Sequence, residues 1–350
     1  MIADIRLKQY RSYLDKTIKL KDGINIVFGP NASGKTNLLE AVMMLCIGKS
    51  YRASDSDLVM HGKSWSRIDS NLVDGHKRTL KINLEDKAPK NFTINNKTVK
   101  RLLFNNQIPV VLFEPNHLSL VSGSPENRRS YLDSILEQTN QNYKKIRADY
   151  IKSLRQRNSL LKRGNVTKNE IFPWNIRLSQ LGGSMVLMRN ELVELINVSV
   201  RSVYDSLSSG QEKITSRYVA HANTDNYETD LLKKLEHDLE LDILRGYTAH
   251  GPHREDMEIL INDQKPATVA SRGETRTITV ALKIIEAEII KQRLDKQPIL
   301  LMDDIFSELD SRRANHLSDY LKGGQSIVTT TDLNIFKTKN KSNLIDITKI

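Results

Sequence analysis

The sequence is poor in the residues that staple chains or span membranes. Among 350 residues there is one cysteine, Cys46. A lone cysteine excludes an internal disulfide and a cysteine-rich metal site, and it points to a reducing compartment. Cys46 ends the apolar stretch from Leu38, so a buried helical position is expected for it. No window approaches the ~18 apolar residues of a spanning helix. The opening MIADIRLKQYRSYL has no apolar core of the kind a secretory leader needs. Secreted and integral membrane classes are thereby excluded, and a cytoplasmic location is expected. Proline and glycine are both missing from residues 126–163, which marks that stretch as helical.

What is present is ordinary globular usage, with 39% apolar and 27% charged residues. The length gives a prior of about two domains. The charge is less ordinary. Lys and Arg outnumber Asp and Glu by 53 to 42, a formal +11. Such a balance is either a solvated surface or the footprint of a polyanionic partner, nucleic acid or an acidic membrane.

The chain reads as mixed α/β at both ends with a helical middle. Alternation over Ile2 to Leu7, a run from Ile24 to Phe28, short strands between Arg67 and Val99, and Val110 to Phe113 predict strands. From Glu126 to Arg163 one apolar stripe, Leu132, Leu136, Thr139, Tyr143, Ile146 and Tyr150, predicts a single long helix. Breaks are expected at Gly164-Asn165 and Pro173. A second stripe, Leu181, Met185, Met188, Leu192, Leu195, Ser199, Val203 and Leu207, predicts another helix ending at Gly210. A strand over Ile214 to Val219 and an acidic helix over 228–245 follow. Strands over Met257 to Ile261, Ile299 to Met302 and Gln325 to Thr330 alternate with helices over 274–293 and 311–321. The expected organisation is a discontinuous head, residues 1–122 plus 247–350, with 123–246 inserted as a helical arm.

Gly29-Pro30-Asn31-Ala32-Ser33-Gly34-Lys35-Thr36 fits G-x-x-x-x-G-K-[ST] between a predicted strand and a helix. That spacing lets successive backbone N–H groups converge on a phosphate at a helix N-terminus. Lys35 reaches the β- and γ-phosphates, and the Thr36 hydroxyl can ligate Mg²⁺. Asp303 and Asp304 close an apolar strand. Adjacent strand residues point to opposite faces, so different roles are expected: Asp303 as a metal partner, Asp304 as the carboxylate that activates water.

A third segment, Ala270-Ser271-Arg272-Gly273-Glu274, opens a helix about thirty residues before Asp303. Ser271 is placed to cap it. The three segments in this order, with Ser307-Glu308-Leu309-Asp310 after the acidic pair, resemble the ABC-type ATPases. The start Arg6 to Tyr13, Ser50-Tyr51-Arg52, the run Pro109 to Asp133, and His250 to Asp256 resemble more closely the RecF family, in the SMC-like branch of that group. The resemblance covers essentially the whole chain.

It implies an α/β P-loop ABC-type ATPase head with an inserted, mainly α-helical arm. It also implies ATP and Mg²⁺ as cofactors. Lys35 and Asp304 would be catalytic, with Arg11 an additional nucleotide contact. Ser271 and Gly273 of a second copy would close on the γ-phosphate in an ATP-driven homodimer. The implied function is DNA-binding in recombinational repair and replication-gap processing, with RecO and RecR helping to load a recombinase onto single strands. Single-stranded, double-stranded and gapped DNA are the implied partners.

Two departures from the ABC-type pattern stand out. Glu274 replaces the usual signature glutamine and adds negative charge. Thr331 stands where transporters carry a switch histidine; a hydroxyl accepts protons poorly, so a weak Mg-dependent ATPase is expected. Other readings remain: a transporter's ATP-binding subunit, or a non-hydrolytic ATP-liganded clamp. His250 and His253, with no third ligand apparent, read as a structural turn rather than a zinc site.

Residues 126–163 hold ten basic and four acidic residues. Set beside a head of this kind, Arg128, Arg129, Lys144, Lys145, Lys152, Arg155 and Arg157 are candidate DNA-phosphate contacts.

Overall fold

The computed structural model describes residues 1–350 except 88, 209–211, 310, 334–341 and 350. Its contacts divide the chain into two compact units, Met1–His117 with Glu286–Ile350, and Leu118–Ile285.

The first unit opens with β1 (Ile2–Tyr10), β2 (Tyr13–Lys19) and β3 (Ile24–Phe28). Helix α1 (Lys35–Ile47) follows, then β4 (Trp65–Leu72), β5 (Lys77–Asn83), β6 (Lys90–Ile94), β7 (Lys97–Val99) and β8 (Val110–Phe113). Six of these strands form an antiparallel sheet in the order β2-β1-β4-β5-β6-β7. Strict alternation makes it two-faced. Ile5, Leu7, Ile68, Leu80, Ile82 and Phe92 enter the core, while Arg6, Arg67 and Lys81 face outward. Helix α1 buries residues on all sides, Leu38, Leu39, Ala41, Val42, Leu45 and Cys46 among them, because it packs against strands of both sheets of this unit. Cys46 is fully buried there, as its apolar setting predicts, and burial pushes its thiol up to about 12.

The second unit holds α2 (Ser119–Ser122), α3 (Pro125–Thr139), α4 (Gln141–Leu161) and α5 (Lys168–Leu207). The single helix expected over 126–163 is therefore two. Asn140 ends the first and caps the second, its side chain accepting from the amides of Asn142 and Tyr143. The break expected at Pro173 is absent. A capping box of Thr167 and Glu170 starts α5 one turn earlier, and Pro173 is carried near its N-terminus. The expected end at Gly210 lies outside the described residues. The inward face of α5 also differs from expectation beyond Met185. Arg189, Ile196, Val200 and Tyr204 are buried, and Leu195 is exposed. A stripe read from apolar residues could not anticipate that a paired arginine would occupy a core position.

The unit continues with β9 (Ile214–Val219), α6 (Tyr227–His237), α7 (Leu239–Arg245), β10 (Asp256–Ile261) and α8 (Pro266–Val269). The acidic helix expected over 228–245 breaks at Asp238. Strand β10 pairs antiparallel with β9 along its whole length, from Asp256↔Val219 to Ile261↔Ile214. That pairing joins 247–285 to the second unit, whereas the sequence predicts a return to the head at 247.

Helix α9 (Arg272–Leu294) has residues in both units. Next come β11 (Ile299–Asp303), α10 (Ser311–Tyr320), β12 (Ser326–Thr330) and β13 (Asn343–Asp346). With β3 and β8 they complete a parallel sheet in the order β13-β3-β12-β11-β8. Strand β13 was not anticipated. It pairs with the strand that leads into Gly29, and the amide of Ile347 bonds to the carbonyl of Phe28 at 3.0 Å. Gln325 likewise joins chain ends, its side chain exchanging bonds with the backbone N and O of Ile2 at 2.8 and 2.7 Å.

Candidate nucleotide site

The first unit brings the P-loop and the acidic strand end together. In an open parallel sheet, ligands bind beyond the carboxyl ends of the strands. Here β3 ends in the loop and β11 ends in Asp303, with only β12 between them.

The loop needs its glycines. Gly34 stands at φ +100 as the residue before α1, and a side-chain carbon there would meet the Tyr13 hydroxyl at 2.9 Å. At Gly29 such a carbon would lie 2.6 Å from Ile347. Ala32 adopts φ 60, a left-handed turn within the loop. The ammonium of Lys35 donates to the carbonyls of Gly29 and Pro30, both at 2.9 Å, and so folds the loop over itself. Burial lowers its pKa, with Asp304 and Asp303 opposing.

Thr36 Oγ1 donates to Asp303 Oδ1 at 3.1 Å. Thr329 on β12 donates to the same oxygen at 2.7 Å. Two hydroxyls and a carboxylate thus share one corner, an all-oxygen donor set suited to a hard cation. Asp304 lies just past the strand end in a left-handed conformation, φ 49, its amide bonded to the Thr329 carbonyl and hydroxyl at 3.2 and 3.1 Å. Its Oδ1 is buried with no partner. Burial, more than the nearby Asp303, raises its pKa against the pull of Lys35. Ser33 Oγ is likewise buried and unpartnered. Buried polar atoms without partners are uncommon, and two of those in the described residues fall together in the acidic pair and the loop. The residues present fit a nucleotide phosphate with its divalent cation.

Arg11 stands at the β1–β2 turn with φ 52. Its guanidinium is bidentate on Glu40, at 2.9 and 3.1 Å. Ser50 and Arg52 bond to the same carboxylate at 2.6 and 3.2 Å. Burial alone would push Glu40 up, but these donors bring it below the usual carboxylate range. Glu40, Tyr13 and Thr329 were missed as site residues. An acid inside the apolar run Leu38 to Cys46 was the available signal for Glu40.

In the second unit, Ser271 caps α9 as expected. Glu274 N donates to Ser271 Oγ at 3.2 Å, and Ser271 N donates to Glu274 Oε2 at 2.6 Å. This reciprocal capping box gives Glu274 a local task and holds its carboxylate below its ordinary pKa. Thr331 is exposed. Asp310 lies outside the described residues.

The histidine turn carries no metal cluster among the described residues. His253 Nε2 faces the Thr248 carbonyl at 3.0 Å, and only a donor can do so. Nδ1 is therefore the acceptor for Tyr150, 2.8 Å away. Burial pushes His253 down to about 4. The unfolded chain takes up this proton near pH 6.5 and the folded one does not, so stability is full above 6.5 and falls toward pH 4. His253→Gln should flatten the dependence of Tm on pH between 7 and 5; an unaltered slope would contradict the assignment. His250 bonds through Nε2 to Asp238 at 2.6 Å.

The basic residues of the middle divide sharply. Arg157 is fully buried, bonded to Asp242 at 2.7 Å and to Asn175 and Thr248, both at 2.8 Å. Arg128 is bidentate on Asp256, at 2.8 and 2.7 Å, with its side chain 11% exposed. Neither is available to DNA phosphates, and both expectations are corrected: these charges hold the unit together. Arg129 is half-buried and donates to the Glu255 carbonyl at 2.7 Å. Lys144 is partly buried, whereas Lys145, Lys152 and Arg155 are exposed on α4.

Comparison with known proteins agrees with this architecture. The family model described as "RecF/RecN/SMC N terminal domain" matches residues 1–349. The DNA replication and repair protein RecF of Lachnoclostridium phytofermentans is 34% identical over 96% of this chain and 94% of its own. That of Lachnospira eligens is 31% identical over 100% and 97%. A solved structure of the recombination mediator protein RecF with ATP in the RecFOR pathway superposes with a TM-score of 0.88 at 28% identity, covering 99% of this chain and 95% of that one. With near-complete coverage in sequence and fold alike, the chain belongs to the RecF family, among the proteins that carry the RecF/RecN/SMC N terminal domain.

Proposed function

We propose that the chain is an ATP-dependent DNA-binding protein of recombinational repair and replication-gap processing, with slow Mg-dependent ATP hydrolysis. The observation that carries this reading is the meeting of Lys35, Thr36, Asp303 and Asp304 at one sheet end. The solved RecF relative is described with ATP, which supports the same nucleotide here.

The loop amides from Gly29 to Gly34 would cradle the phosphates, with Ser33 Oγ a further donor. Lys35 would exchange the Gly29 and Pro30 carbonyls for phosphate oxygens. Thr36 and Asp303 would hold Mg²⁺, and Thr329 would orient the Asp303 carboxylate. When bound, the cation would supply neutralisation of the phosphates' negative charge. Asp304, with an unpartnered oxygen and a raised pKa, would accept a proton from the attacking water. Ser271 and Gly273 of a second copy would close the site, making ATP the trigger of a homodimer. Arg11 would then act through its charge beside Glu40. Lys145, Lys152 and Arg155 remain the arm's candidate phosphate contacts. RecO and RecR are the proposed partners, consistent with the pathway named for the solved relative.

Membership of the RecF family weighs against the transporter reading, and no helix among the described residues is long and apolar enough to cross a membrane. Asp304→Asn should bind ATP, fail to hydrolyse it and accumulate as a dimer. Sedimentation with ATP tests this, and a mutant that stays monomeric would count against the mechanism. Steady-state ATPase assays with and without DNA separate a slow enzyme from a non-hydrolytic clamp.

A further inference from the structure

The outer face of the antiparallel sheet carries an unexplained concentration of charge. Strand registers align Lys8 with Arg67 and Arg67 with Lys81, so three cations stand side by side on β1, β4 and β5. Adjacent strands are ~4.8 Å apart, and like charges directly opposite destabilise a sheet. The acids on this face cancel the row only in part. Asp15 is shared by Arg6 at 2.7 Å and Lys8 at 3.7 Å, and Asp69 is taken by Arg67 at 2.8 Å and the Thr79 hydroxyl at 2.6 Å, which leaves Lys81 without an acid among the described residues. Lys19, Lys77 and Lys81 carry no side-chain ion pair or hydrogen bond among the described residues, and all three are exposed.

Between β4 and β7 the face dips into an open depression of about 520 Å³. Thr79, Thr93 and Thr98 follow one another across its floor, aligned by the registers Thr79↔Thr93 and Thr93↔Thr98. Arg67, Lys77 and Lys81 also line it, as does the one acid, Asp69, held by Arg67 and Thr79, and no apolar side chain does. A row of hydroxyls flanked by unpaired ammonium groups suits phosphodiester oxygens: the cations supply charge and the hydroxyls supply short hydrogen bonds. A lining without apolar groups has nothing to insert into a bilayer, which disfavours an anionic membrane as the occupant.

We infer that this sheet face, on the unit that carries the P-loop, is a second nucleic-acid interface, gripping the phosphate backbone through Arg67, Lys77 and Lys81. It rests on the DNA-binding reading proposed above and adds a surface that the charge count along the helical arm did not indicate. Contacts of this kind are insensitive to base sequence and strongly sensitive to salt.

The test compares the full-length protein with the double variant Lys77→Gln/Lys81→Gln, by duplex oligonucleotide binding with ATP across a salt series. Both side chains are exposed, so the fold should tolerate the change; an unchanged Tm and unchanged ATP affinity verify this. The expected result is a loss of roughly tenfold in duplex affinity. The slope of log affinity against log salt should fall by about 1.8, or about 0.9 for each lost phosphate contact. Wild-type affinity and slope in the variant would overturn the inference while leaving ATP-dependent DNA binding intact. Failure of the wild type itself to bind duplex would instead remove the underlying reading. Wild-type binding to phosphatidylserine vesicles that the variant loses, with duplex binding unchanged, would reassign the face to membrane and equally overturn the inference.

Discussion

Lys35→Met is expected to abolish ATP binding and, with it, ATP-dependent retention of DNA. The ammonium is the one cation built into the loop. It is nearly buried, bonded to the Gly29 and Pro30 carbonyls, and feels the charges of Asp303 at the end of β11 and of Asp304 just past it. Hydrogen bonds to charged groups contribute about 1.5–3 kcal/mol each. Losing two or more on a polyphosphate lowers affinity by a hundredfold or more. Methionine keeps the length and apolar stem, so packing around α1 should survive. Nucleotide titration gives the affinity, and filter retention of labelled duplex with and without ATP gives the consequence. DNA retention that responds to ATP in the mutant as in the wild type would sink the proposed mechanism.

Arg157→Met is expected to be the most destabilising single change in the second unit, by about 3–5 kcal/mol. The guanidinium makes its bonds inside the unit, to Asp242, Asn175, Thr248 and the Leu235 carbonyl. Removing it leaves the Asp242 carboxylate buried without its counter-charge, and that desolvated charge dominates the loss. A second change, Asp242→Leu, should recover much of it, since replacing both partners of a buried pair by apolar groups is often close to neutral. Recovery will be incomplete because Asp242 also accepts from the Ala249 amide. The chain has two tryptophans, Trp65 in the first unit and Trp174 in the second. Denaturant titration followed by Trp174 fluorescence in a Trp65→Phe background reports the second unit alone. Loss of less than about 1 kcal/mol would show that the network is not structural.

The nucleotide site was largely legible because its chemistry is written in consecutive residues. A strand, a glycine-bounded loop and a lysine announce a phosphate whatever surrounds them, and an apolar strand closing on two aspartates announces its counterpart. Thr329 escaped notice because a threonine on a strand has no distinctive neighbours; only the parallel register of β12 with β11 sets it against Asp303. The helical middle misled for a different reason. Charge counting cannot distinguish a guanidinium in water from one buried against a carboxylate 85 residues away, as Arg157 is against Asp242. The stripe on α5 drifted for the same cause, since Arg189 lies in the core with Asp133 at 2.8 Å. The outward cations of the sheet are scattered through the chain. Lys8, Arg67 and Lys81 become neighbours only when strands pair.

The last strand has a bearing on how the protein is made. Strand β13 lies against β3, and Ile347 sits where the first glycine of the loop has no side chain. During synthesis the N-terminal strand and loop leave the ribosome hundreds of residues before their partner exists. Long-range parallel pairing is slow, and an unpaired strand edge invites the wrong neighbour. The nascent chain must therefore carry this edge of β3 open until residues 343–346 have been made. The phosphate loop is thus made about 300 residues before the strand that closes its edge, so a chain cut short before residue 343 would keep the motif and lack its floor.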